Sequence, residues 1–155
     1  MGWVTLSARK QSLRLAMSGL EMRDLELSRS TRSTQRSSAY EQSIIKNNKA
    51  VELRQIKDTL DEVKGERPED KKSEEYSEWY MDYQQAREDY EAERVEITEM
   101  YDDQLAMLEE ESADKEAEIQ REQQTVEAQL EAMNAEFDVV KEQISNEIEQ
   151  STIQI

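Results

Sequence analysis

The side chains of greatest chemical character are gathered in one place: Tyr76, Trp79, Tyr80, Met81, Tyr83 and Tyr90. An aromatic face at helical spacing is a packing surface before it is a ligand box. Tyrosine suits an interface, because its ring serves the apolar side and its hydroxyl the wet side. The chain has no histidine and no cysteine, which removes imidazole bases, thiol nucleophiles, disulfides and Cys/His metal sites. Acidic runs such as Asp102-Asp103 and Glu109-Glu110-Glu111 lack the central glycine and alternating acids of a calcium loop, and read as the solvated face of an acidic helix. No glycine-rich phosphate cradle or serine elbow occurs. The expectation is a non-enzymatic protein, with no catalytic, cofactor-binding or metal-binding residues and no small-molecule substrate. Its surfaces must carry its function.

The aromatic cluster opens a long stretch, Ser73 to about Ser151, that contains neither glycine nor proline. At ~1.5 Å per residue a helix of about 80 residues would be on the order of 120 Å long. Its apolar seam begins with Tyr76, Tyr80, Tyr83, Tyr90 and Ile97 in an alternating four-three ladder, with Arg87 and Arg94 standing in at two rungs. Tyr101, Leu105 and Leu108 follow. Val126, Leu130, Met133, Phe137, Val140, Ile144 and Ile148 form a second clean ladder. Two extra steps of four bring the mean spacing to about 3.6, near a straight helix rather than the 3.5 of a strict left-handed supercoil. So narrow a stripe buries nothing by itself and needs a partner along its length.

Upstream, Leu6, Leu13, Leu20 and Leu27 recur at a strict seven. Leu15, Met22 and Leu25 lie off that seam and widen the stripe, so this helix is expected to touch more than one neighbour. Packing is a better reading than a membrane-surface helix, because the acidic bulk of the chain would be repelled by anionic lipid. Ser28 to Ser38 has no apolar rung, and its serines and threonines compete for backbone hydrogen bonds. A solvated joint or a frayed turn is expected there, with its arginines available to an acidic neighbour. Helical periodicity returns with Ile45, Leu53, Ile56, Leu60 and Val63.

Gly65-Glu66-Arg67-Pro68-Glu69-Asp70 is the one turn signal. Glycine fits the left-handed position after a helix, and proline followed by acids fits the start of the next. The expected fold is all-α: an elongated antiparallel helical hairpin or coiled coil with one very long C-terminal helix. Its parts are a basic amphipathic helix and Ser/Arg joint over 1–38, a first hairpin helix over 39–64, a turn over 65–72 and the long acidic helix over 73–155. Folding about Arg67 would set Leu6–Leu27 opposite roughly Met107 to Ala128. The long helix would then overhang from about Leu130, ending in Ser151-Thr152-Ile153-Gln154-Ile155. An overhanging apolar ladder calls for another subunit.

Hydrophobic residues are 35% and charged residues 37% of the chain, a mixture that points to long helices rather than a filled sphere. The net charge of −17 is uneven: residues 1–50 carry nine Lys/Arg against four acids, leaving −22 for residues 51–155. Basic and acidic regions of this kind complement each other within one molecule or between neighbours. A nucleic-acid partner is not expected at +5 with so little aromatic interleaving. No run of about 18 apolar residues occurs, so no transmembrane segment is expected. The start lacks the order of a cleavable signal peptide, which leaves cytoplasmic residence or export without one as the alternatives. Leu6 sits where a myristoylation motif requires serine or threonine.

With Leu6–Leu27 at one terminus, Val126–Ile148 at the other, no cysteine and no cleavable leader expected, the plan resembles the helical filament subunits of type III secretion and flagellar systems. That resemblance implies terminal helices packed together along a tube, with the hairpin end formed by the middle of the chain. It rests on no specific motif and transfers no functional residue. The expected function is a structural protein that self-assembles through its terminal helices into a helical oligomer or filament. The expected interface residues are Leu6, Leu13, Leu20, Leu27, Tyr76, Trp79, Tyr80, Tyr83, Tyr90, Val126, Leu130, Met133, Phe137, Val140, Ile144 and Ile148. Copies of itself are the first expected partner, and other components of a secretion or structural assembly the second. The alternative is a cytoplasmic coiled-coil adaptor or chaperone, similar to stalk-like proteins of export machines that dock a helical hairpin.

Overall fold

A computed structural model describes residues 2–153 of the chain; Gln154 and Ile155, which end the apolar segment noted above, lie outside the described residues. Two α-helices pack against each other as a hairpin, with no strand among the described residues. Helix α1 spans Trp3–Gly65 and α2 spans Glu74–Ile153. The fold divides into two compact units. The terminal unit joins the chain up to Gln35 with the chain from Ala113 onward, and the tip unit is Arg36–Ser112.

Helix α1 passes through Ser28–Ser38 without a break. The joint expected there is instead helix, because the stretch keeps the seam's spacing with polar side chains. Leu27, Thr31, Thr34 and Ser38 continue the four-three ladder and are all at least half-buried. Thr31 donates its hydroxyl to the Leu27 carbonyl at 3.2 Å, so the competing side chain is satisfied one turn back on the same helix. Ser28 accepts a hydrogen bond at 3.3 Å from Gln123 across the seam.

In the tip unit, α1 ends differently from the glycine cap expected. Gly65 has no positive φ, and the Glu66 amide donates to both Glu62 and Val63 carbonyls, at 3.2 and 3.3 Å. The Val63 carbonyl also accepts the indole N–H of Trp79 at 2.7 Å. A side chain from α2 therefore satisfies an end carbonyl that a left-handed glycine would otherwise help to cover. Pro68 lies in the connection rather than in the first turn of α2. The start of α2 is set by Ser73, whose hydroxyl accepts the Tyr76 amide at 3.1 Å in N-cap geometry. Glu74 and Glu75 then occupy the positive first turn. Asp70 braces the cap, accepting from the Lys72 amide at 3.0 Å and, through its carbonyl, from the Ser73 hydroxyl at 2.7 Å.

This late start moves the fold point. Trp79 meets Val63 in the tip unit, and Leu6 clusters with Val140 in the terminal unit; both pairs are centred beyond residue 70. The register expected from a fold at Arg67 is therefore wrong by about two turns of α2 at Trp79 and about three at Val140. Leu6 and Leu13 form a buried core with Val140, and Met133, Phe137 and Ile144 pack against it. The ladder expected to overhang is covered by α1 up to Ile144. Only the last turns remain beyond it, and Ile148 there is half exposed.

Candidate interaction surface

The seam is built from the expected residue types, with local changes of phase. Leu6, Leu13, Leu27, Val126 and Val140 are buried, and Leu20, Leu130, Met133, Phe137 and Ile144 are partly buried. All of these lie within the terminal unit. In the tip unit Tyr76, Trp79, Tyr83 and Tyr90 are partly buried, whereas Tyr80 is largely exposed. Trp79, not Tyr80, occupies the inward rung. Its indole is large and its N–H has a partner on α1, so the helix turns that side chain inward. Trp79 stacks on Tyr83 with ring centroids 5.2 Å apart, and Tyr76 stacks on Tyr80 at 6.5 Å. The Arg67 guanidinium lies 5.7 Å from the Tyr76 ring centre and 6.0 Å from that of Trp79, a cation–π contact closing the connection over the aromatic face.

Polar flanks fix the pairing within each unit. In the terminal unit Arg9 donates from Nε to Glu136 at 3.0 Å, and Arg23 bridges to Glu122 at 2.6 Å. The hydrogen bond that Arg23 donates to Glu122, followed by the one it donates to Glu26, raises its pKa above the ordinary value. Lys10 and Arg14 lie 5.6 and 5.9 Å from the centre of the Phe137 ring, so their stems and charges cover the largest apolar side chain of that ladder. In the tip unit Lys49 pairs with Asp102 at 3.1 Å.

The most buried side chain of the tip unit is Tyr101, which sequence periodicity places on the seam without its partner. Its hydroxyl donates to Glu52 at 2.6 Å. That hydrogen bond, together with burial, raises the Tyr101 pKa above the usual phenol value. Because the folded value is raised, the bond's contribution is complete below the ordinary phenol range. It is lost as pH climbs through the raised value. Tyr101→Phe should lower the melting temperature by about 2–5 °C at pH 7. The difference from the parent should shrink in thermal melts as pH rises beyond the ordinary phenol range. An unchanged difference at high pH would show that the hydroxyl contributes by shape alone.

A second apolar ladder runs along the outside of α1 in the terminal unit. Val4, Ala8, Leu15, Met22 and Leu25 lie on a four-three spacing offset from the buried seam, with Gln11 and Ser18 at the two intervening rungs. Leu15 is 75% exposed, Met22 63% and Leu25 55%. The sequence pattern identifies these residues as widening the stripe, and the structure shows that α2 does not cover them. Gly19, on the same side, has nothing within 4 Å of the position a Cβ would take. The outside of α2 in this unit is shallower: Arg121, Gln124, Thr125, Ala128, Gln129 and Ala132 line an open groove.

Among the described residues no helix is long and apolar enough to cross a membrane, and no group of three His, Cys, Asp or Glu side chains is placed to hold a metal ion. Comparison of the chain with protein-family models, with curated proteins and with solved structures finds no match.

Proposed function

We propose that this protein is a non-enzymatic structural subunit that self-associates through its terminal unit into a helical oligomer or filament. One observation carries the reading. The seam between α1 and α2 is closed within a single chain, yet Leu15, Met22 and Leu25 remain in water on the outer face of α1. Exposed large apolar side chains in a row on one helix mark a protein-facing surface more often than a purely solvated one. The split of charge between a basic amino-terminal third and an acidic remainder also favours contact between copies.

Light scattering over a roughly hundredfold concentration range, with negative-stain microscopy of the same samples, tests this. The expected result is a sharp rise in scattering above a critical concentration, with uniform particles or fibres. A monomer at every concentration would end the self-assembly reading. The adaptor reading would then lead, supported by Met81, which is 72% exposed beside Tyr80 in the tip unit and suits an adaptable docking contact.

A further inference from the structure

The outer ladder of α1 does not stop at Leu25. The next two rungs are Arg29 and Arg32, both exposed. The face therefore runs from apolar to cationic along one line. A surface of this kind requires an occupant that is apolar along one part and acidic beyond it.

The outside of α2 in the same unit carries small side chains at Thr125, Ala128 and Ala132 and acids at Asp114 and Glu118, with Arg121 between the two parts. Helix α2 carries eleven acids against three Lys/Arg over 113–153, while α1 carries six Lys/Arg against three acids up to Gln35. On α2, Asp114, Glu118, Thr125, Ala132 and Val139 are all exposed and recur at intervals of seven or four. None of the side chains of Arg29, Arg32, Asp114 and Glu118 makes a hydrogen bond or ion pair among the described residues.

We infer that the outer face of α1 in one copy docks antiparallel on the outer face of α2 in a second copy, with Arg29 against Glu118 and Arg32 against Asp114. This rests on the self-assembly reading and specifies its interface. One register satisfies both the packing and the charges. Setting Leu15 over Ala132 brings Met22 over Thr125, so these two large side chains meet smaller ones, while Leu25 falls beside Arg121 and Glu122. The same register brings Arg29 to Glu118 and Arg32 to Asp114, where guanidinium and carboxylate form charge-assisted hydrogen bonds. Within each copy the two outer faces point away from each other, since each lies opposite the seam of its own helix. One neighbour therefore cannot occupy both. The contact is heterologous, giving a closed ring where the rotation between copies closes and an open helical array where it does not. The alternation of α1 and α2 across the contact also makes every copy point the same way.

The test is sedimentation velocity of the full chain at about 50 mM salt, where screening over exposed charges is weak. Three variants are compared with the parent: R29E/R32E, D114R/E118R and the fourfold variant carrying all these changes. All four positions are exposed, so circular dichroism should report unchanged helix in each. Either double variant should weaken association about tenfold or more, and the fourfold variant should restore it. A one-to-one mixture of the two double variants should also associate. Undiminished association of R29E/R32E, or loss without recovery in the fourfold variant, would overturn this interface and leave self-assembly through another surface standing. A parent chain that never associates would overturn the assembly reading itself. In that case, flotation of the parent with phosphatidylserine-containing vesicles, lost in R29E/R32E, would assign the face to lipid.

Discussion

Leu13→Asp should loosen the terminal unit within a single chain. Leu13 is 3% exposed and packs in one cluster with Leu6 and Val140. An aspartate there removes the apolar contact and sets a carboxylate in the cluster that holds Met133, Phe137 and Val140. Deleting a buried leucine costs about 2–5 kcal/mol before any charge is added. For a chain of this size that corresponds to a melting temperature lower by roughly 10 °C. Hydrogen exchange should locate the loss in the first four turns of α1 and in the facing part of α2, while the tip unit keeps its protection. Unchanged exchange over residues 6–27 would refute the intramolecular core. Sequence reasoning alone suggests that this substitution acts between subunits. The register puts it inside the monomer.

Leu15→Asp, two residues away, should have the opposite signature. Leu15 is 75% exposed on the outer ladder, so the aspartate is solvated in the monomer and the helix loses little beyond propensity. Melting temperature in dilute solution should move by no more than about 2 °C. In association, a charge at the centre of an apolar contact leaves a carboxylate desolvated and unpaired, a loss of about 2 kcal/mol or more at interface centres. The critical concentration should rise by about thirtyfold or more. Assembly unaffected by Leu15→Asp would remove the outer face of α1 from the interface. The pair of variants separates folding from association by which face of one turn is charged.

The sequence by itself determined the helical state of the chain and the position of its single reversal. Only one segment, Gly65 to Asp70, contains glycine and proline together, and on either side the apolar residues recur at helical intervals. These are local properties, set by backbone propensity and by the side on which each residue emerges. The same periodicity put Leu6, Leu13, Val126 and Val140 on apolar seams, but it expected Val140 to face another subunit rather than Leu6 and Leu13 of its own chain. It put Tyr80 on the rung that Trp79 occupies, because adjacent aromatic residues lie about 100° apart and both border the seam. The hydrogen bond from Trp79 to the Val63 carbonyl decides between them.

Register was decided by the tertiary structure. The Ser73 cap delays α2, and contacts such as Leu6 with Val140 then select the pairing; neither α1 nor α2 alone encodes the offset. Continuity through Ser28–Ser38 has the same origin. Local propensity there is weak, but burial of Leu27 and of the Thr31 and Thr34 rungs, with the Gln123 hydrogen bond to Ser28, holds helical phase through the polar stretch. The partner of Tyr101 was equally hidden. A seam tyrosine is visible in one chain segment, whereas its acceptor Glu52 lies 49 residues away and is brought to it only when the hairpin closes.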